Sequence, residues 1–212
     1  MGWYDFFSRF YDSSLEPLYL DTREAAVEAL ELQPGLSVLD LPCGTGLSFD
    51  GIGAAIGAEG RLVGVDLSSG MLRRAKARAE RLGFSFVRLL EADVQTLEAG
   101  ELEAAVGIAR FDRIHVFLGM TAFPDPQAAF DRLWSLLRPG GRFVIVDVHA
   151  AKPDFQGRMV NLVARADIRR RAWEPLEAVA EGYAFRELPS KKEHGGQLFV
   201  ASGTKSVNEG EA

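Results

Sequence analysis

Short apolar runs alternate along the chain with stretches whose apolar positions return every three or four residues. The first pattern reads as buried strand and the second as one-sided helix. Residues 38–41, 61–66, 84–90, 111–118 and 142–148 are the five predicted strands. A helix is predicted from Asp21, which with Glu24 has the spacing of a capping box, through Ala25, Val27 and Leu30 to a stop before Pro34-Gly35. Others are predicted over 46–57, from Ser68 through Met71, Leu72, Ala75 and Ala79, and from Pro124-Asp125-Pro126 to Leu137. Residues 97–108 carry little signal and read as helix or loop. Residues 152–182 break the alternation, and 185–188 with 197–203 read as an antiparallel edge pair.

Strands that alternate with helices predict an α/β domain with a mainly parallel sheet. No internal repeat and no linker marks a second domain. The expected divisions are an N-terminal aromatic helix over 1–20, one α/β domain over 21–204 and a polar, disordered tail over 205–212. Trp3, Phe6, Phe7 and Phe10 share one helix face. That face can pack on the domain, close over a pocket as a lid, or touch a lipid surface.

Candidate chemistry gathers where predicted strands end, the edge at which open α/β sheets bind ligands. The first strand runs into Pro42-Cys43-Gly44-Thr45-Gly46, a tight turn that leads into a helix. Glycine there lets a nucleotide-like ligand approach the backbone, and the helix start favours negative charge. Asp66 closes the second strand, 20 positions after Gly46, a distance that returns the chain to the strand beside the first. A carboxylate there accepts both hydroxyls of a ribose or caps the next helix; the preceding turn favours the ribose, and Ser68 is the better cap. Asp93 follows the third strand, placed to accept from an adenine amine while the Val94 N–H donates to a ring nitrogen, or to cap its own loop.

His149 lies just past the fifth strand and is the candidate general base; a surface histidine is the alternative. His115, inside the fourth strand, reads as a satisfied core residue, and His194, beside Gly195 and Gly196, as a surface one. Tyr11 is a candidate at the reacting atoms and Tyr19 at an acceptor pocket. Arg158, Arg165, Arg169, Arg170 and Arg171 make residues 152–182 basic, which suits an acidic head group or an anionic membrane, with Arg165 and Arg169 as candidate substrate contacts. A solvated helix side gives the same pattern, as do Arg73, Arg74, Lys76, Arg78 and Arg81 earlier in the chain.

Composition narrows the partners. Across 212 residues the net charge is −6, which argues against general nucleic-acid binding. Cys43 is the only cysteine, so no intrachain disulfide forms, as fits a reducing cytoplasm. One cysteine and three scattered histidines show no metal-ligand spacing, and no metal is expected. A secretory signal and an apolar run of bilayer length are both missing from the pattern, so a cytoplasmic protein is expected, with membrane association left to peripheral contact through the N-terminal helix.

Taken together, residues 38–46, Val63-Gly64-Val65-Asp66-Leu67-Ser68 with Met71-Leu72, Asp93-Val94, Phe111-Asp112 and Leu136-Leu137-Arg138-Pro139-Gly140-Gly141 resemble the class I S-adenosylmethionine-dependent methyltransferases over about residues 20–204. Within that class the chain is most similar to the small ubiquinone/menaquinone-biosynthesis and phospholipid N-methyltransferase relatives. A dinucleotide-binding fingerprint fits less well, because Pro42 and Phe49 break it. The resemblance implies a Rossmann-like, seven-stranded, mostly parallel sheet with an antiparallel final strand and helices on both faces. It implies S-adenosyl-L-methionine as cofactor and S-adenosyl-L-homocysteine as product. Asp40 would sit near the methionine amino group, Leu41, Pro42, Gly44 and Gly46 along the cofactor, Asp66 on the ribose, Leu67 and Met71 against the adenine, and Asp93 and Val94 at its edge. Pro42 stands where the family usually has glycine; it lacks an N–H, so only its carbonyl is left for a contact. The expected acceptor is a small or amphipathic molecule. A phosphatidylethanolamine-type amine is favoured, a quinone precursor comes next, and a cofactor-binding protein without turnover is the competing class. A monomer or homodimer is expected.

Overall fold

The computed structural model describes residues 17–207. The aromatic segment with Trp3, Phe6, Phe7, Phe10 and Tyr11 lies outside the described residues, as does the end of the tail. In chain order the elements are α1 (Leu20–Ala29), β1 (Ser37–Asp40), α2 (Phe49–Ile56), β2 (Arg61–Asp66), α3 (Ser69–Leu82), β3 (Val87–Glu91), α4 (Ala99–Val106), β4 (Phe111–Phe117), α5 (Pro126–Leu136), β5 (Leu137–His149), α6 (Phe155–Ala164), α7 (Glu174–Val179), β6 (Glu181–Glu187) and β7 (Gln197–Thr204).

The strands form one seven-stranded sheet in the order β3-β2-β1-β4-β5-β7-β6. Strands β1 to β5 pair in parallel; β7 runs antiparallel to both β5 and β6. The expected architecture is therefore present, with β7 as the reversed strand inside the β6 edge. The order reverses between β1 and β4, the switch point at which open α/β sheets bind ligands in the crevice outside the strands' C-terminal ends.

Successive side chains of a strand point to opposite faces, so each central strand feeds two cores. Leu39, Val63, Ile114 and Phe143 join Leu102, Phe130, Leu133 and Leu176 of α4, α5 and α7. Val38, Leu62 and Val144 join Ala26, Phe49, Ile52 and Ala75 of α1, α2 and α3, with Leu30 at the end of α1, on the other face. Burial on both faces explains why these strands read as unbroken apolar runs.

Three local expectations change. Asp21 is not a cap: α1 begins at Leu20 behind Tyr19, whose side chain makes no capping bond, and Asp21 sits in the first turn. The third strand starts at Val87, because Gly83 ends α3 in the left-handed conformation and Phe84 turns back to bond Ala79 O. Residues 99–106, within the stretch read as helix or loop, are helical. Arg78 leaves the solvated basic side of α3 and is buried beside Asp50, 3.6 Å away. The cap read at Ser68 is present, accepting from Met71 N, and Asp125 caps α5 by accepting from Ala128 N. Past β7, Lys205 donates its Nζ to Trp134 O and its backbone N–H to Gly141 O. None of the described helices is long and apolar enough to cross a membrane.

Candidate functional site

One half of the candidate site is built by the exits of β1, β2 and β3. Pro42, joined to Leu41 by a cis peptide, begins a turn closed by the Cys43 N–H on Val65 O and the Gly46 N–H on Cys43 O. Two glycines serve this turn for different reasons. Both have positive φ, 55° at Gly44 and 77° at Gly46. At Gly46 a Cβ would lie 2.7 Å from the Phe49 ring, so the core requires glycine there. At Gly44 a Cβ would meet nothing within 4 Å, so protein packing leaves that cradle open. Pro42 occupies the other flank: a Cβ on Gly119 would fall 2.4 Å from its Cδ, so the loop after β4 lies directly against the turn.

Asp66 ties this frame together. Its Oδ2 accepts from the Gly44 N–H at 2.9 Å and its Oδ1 from the Ser68 N–H at 2.9 Å. Burial raises its pKa, opposed by those hydrogen bonds. Each oxygen keeps a further lone pair for a vicinal diol. Leu67 beside it is 69% exposed, while Met71 is buried on α3. Asp93 is exposed; it caps its own loop through the Gln95 N–H, and Val94 beside it is buried. The Ala92 N–H donates to Asp66 O and keeps this loop beside β2.

Asp40 closes β1 fully inside the protein. Its Oδ1 lies 2.8 Å from His115 Nδ1, across a register that pairs the two residues. Asp40 Oδ2 and His115 Nε2 are buried without a hydrogen-bond partner. An orphaned buried acceptor costs roughly 1–3 kcal/mol, an expense that proteins tolerate where a ligand completes the site. The open cradle at Gly44, the diol acceptor at Asp66 and the orphaned Asp40 oxygen fit a nucleoside that ends in an ammonium group.

The family model described as "Methyltransferase domain" matches residues 32–193, most of the chain. The chain belongs to the class I S-adenosylmethionine-dependent methyltransferases. A demethylmenaquinone methyltransferase from Desulfitobacterium hafniense is 27% identical over 136 residues, 64% of this chain and 50% of that protein. The chain spans about half the length of the curated relatives it matches. In fold it is similar to the geranyl diphosphate C-methyltransferase of Streptomyces coelicolor, solved with S-adenosyl-L-homocysteine (TM-score 0.70, 17% identity, 88% of this chain and 76% of that one). It is also similar to a phospholethanolamine N-methyltransferase of Haemonchus contortus, solved with S-adenosylhomocysteine (TM-score 0.71, 13% identity, 97% and 60%).

In this methyltransferase domain the loop after β4 is held over the sheet by Asp147, which the sequence pattern did not single out, and by Arg170 of the basic run. Asp147 is buried; it accepts from Thr121 N at 3.0 Å, Thr121 Oγ1 at 2.8 Å and Val148 N at 2.8 Å. Burial pushes its carboxyl up to about 6 against those hydrogen bonds. Arg170 clamps the same loop from outside, donating to Phe123 O at 2.7 Å and Thr121 O at 3.3 Å. His149 Nδ1 lies 3.2 Å from Arg170 O, and the ring meets Trp173 edge-on at 5.1 Å. A carbonyl only accepts, so this hydrogen bond requires the proton on Nδ1, the tautomer that leaves Nε2 as the acceptor.

The remaining candidates are placed as follows. Tyr19 is buried, its ring against Phe117 and His194. His194 is a correction to the surface reading: it is buried, accepts from the Lys191 N–H and reaches Leu18 O, and burial lowers its pKa. Arg169 grips both carboxylate oxygens of Asp167. Arg165 is exposed and caps α6 in the left-handed conformation. Tyr11 lies outside the described residues. His115 is a core residue as read, but paired with a carboxylate rather than satisfied. Among the described residues there is no cluster suited to a metal ion.

Proposed function

We propose that this protein transfers the methyl group of S-adenosylmethionine to a small or amphipathic acceptor. The observation that carries the reading is the open cradle at Gly44 between the carboxylates of Asp66 and Asp40. Asp66 would hold the ribose, Asp40 the ammonium, Met71 one face of the adenine, and Asp93 with the Val94 N–H its edge. The cofactor supplies a sulfonium-bound methyl and with it the difficult chemistry; the protein supplies alignment and a dry site. His149, with Nε2 free to accept, would take the proton from an oxygen or carbon nucleophile. An amine needs only to arrive uncharged.

Two acceptor classes follow. A quinone precursor is supported by the demethylmenaquinone methyltransferase relatives and by the acceptor nitrogen of His149. A phosphatidylethanolamine-type amine is supported by the phospholethanolamine N-methyltransferase likeness and by the basic run near the crevice. Both acceptors are amphipathic, and α6 suits them: Phe155, Met159 and Leu162 stand exposed on one face, flanked by Arg158 and Arg165. Peripheral membrane contact through this helix and the aromatic N-terminal segment is part of the proposal. Radiolabelled S-adenosylmethionine offered with quinone precursors, phosphatidylethanolamine vesicles and soluble amines is the test. Label in the first two is expected; label only in soluble amines would overturn the amphipathic acceptor, and none at all, with donor still bound, would favour a binding protein without turnover.

A further inference from the structure

The Asp40–His115 pair is the most deeply buried polar arrangement at the crevice, at 1% and 0% exposure. Its two side chains are 75 residues apart in sequence, brought together by parallel pairing of β1 and β4. The backbone repeats the link, since the Leu41 N–H donates to His115 O as the chain enters the turn. Around the pair stand the Phe117 ring, 5.8 Å from the imidazole, and Tyr19 edge-on to Phe117. Burial raises the pKa values of Asp66 and Cys43, and both lie close enough to Asp40 for its charge to add to the rise.

A carboxylate with one oxygen bound and one orphaned presents a directed acceptor. Without the imidazole the group would rotate about its last bond and present either oxygen, or neither, to the turn. An imidazole that only filled space could be apolar; this one spends its Nδ1 on the carboxylate and leaves Nε2 bare.

We propose that His115 is a positioning residue for the amino-acid end of the donor: its Nδ1–H fixes Asp40 Oδ1, so that Oδ2 faces the donor's ammonium. This rests on the donor reading above and names the residue that orients its ammonium contact. His115 touches neither the methyl group nor the acceptor; it acts through Asp40.

The test compares two ligands by calorimetry on the full chain. S-Adenosylhomocysteine carries the amino-acid end, whereas 5′-methylthioadenosine lacks it. His115→Leu keeps the bulk and removes the donor, and is expected to weaken S-adenosylhomocysteine about 10- to 100-fold, the value of a hydrogen bond to a charged group, with 5′-methylthioadenosine within about twofold. His115→Asn is expected to recover most of the loss, because the amide nitrogen stands on the same branch as Nδ1. Equal weakening of both ligands, or an unchanged S-adenosylhomocysteine affinity, would overturn the proposal. Binding of neither ligand to the wild type would overturn the donor reading itself, a distinct result. Should His115→Leu not fold, nitrogen NMR of the wild type decides: a proton on Nδ1 supports the arrangement, and a bare Nδ1 facing Asp40 overturns it.

Discussion

The two ends of the crevice are built on different principles. At the exits of β1 and β2, where the proposed function puts the donor, backbone and one carboxylate make the frame: Asp66 spans Gly44 and Ser68, two residues within one strand–turn–helix unit and its neighbour. Over β4 and β5, where it puts the acceptor, long-range side chains hold the loop after β4: Asp147 from inside and Arg170 from outside fix Thr121 and Phe123. A frame made of backbone is written in short motifs. A loop held by separate side chains can be remodelled one residue at a time, which on the proposed reading suits the end that meets the acceptor.

If that contrast is right, substitutions at the two ends separate cleanly. The largest effect is expected from Asp66→Ala, which removes both the turn's brace and the diol acceptor; S-adenosylhomocysteine affinity should fall by at least about two orders of magnitude in calorimetry, beyond the loss of one charged hydrogen bond. His149→Ala should lower transfer to an oxygen or carbon acceptor by about 100-fold, the usual scale of general-base assistance, with donor affinity unchanged. A parallel loss of donor affinity would erase the distinction between the ends.

Asp147 gives a stability test at the acceptor end. Its folded carboxyl is raised from 3.8 to about 6. The folded state therefore binds this proton more tightly than the unfolded chain. Its contribution is complete below pH 4 and is lost as pH rises through 6, by up to about 3 kcal/mol for two pKa units. Asp66, also raised by burial, adds a loss of the same sign. Denaturant melts of Asp147→Asn against wild type between pH 4 and 7 should show a shallower decline in the variant; identical slopes would remove Asp147 from the account. The smallest effect is expected from Phe155→Ser with Leu162→Ser on the exposed face of α6. Transfer to an acceptor held in vesicles should drop a few-fold while a soluble acceptor is unaffected, a scale set by losing two partly inserted side chains.

The same contrast explains what could be read without coordinates. The 38–46 turn and the cap at Ser68 depend on residues a few positions apart, and the carboxylate at 66 on its place at the end of a periodic strand, so the local pattern exposes them. Asp40–His115 and Thr121–Asp147 join residues 75 and 26 positions apart, so they exist only once β1, β4 and β5 are in register. His115 in an apolar run looks like any core histidine until the strand beside it is known. Asp21 and Glu24 matched a capping box, yet Tyr19 leads α1 because its ring is buried on Phe117. The start of β3 failed for a similar reason: Phe84 and Phe86 stack on each other in a turn, with Phe84 filling the space beside Gly53, so aromatic residues mimicked a strand.

The decisive experiment is a crystal structure of the full chain grown with S-adenosylhomocysteine. Ribose hydroxyls are expected on the Asp66 carboxylate, the ligand's ammonium on Asp40 Oδ2, and its tail over Gly44. A ligand bound elsewhere, or one at this edge of the sheet that leaves Asp66 and Asp40 untouched, would refute the donor site.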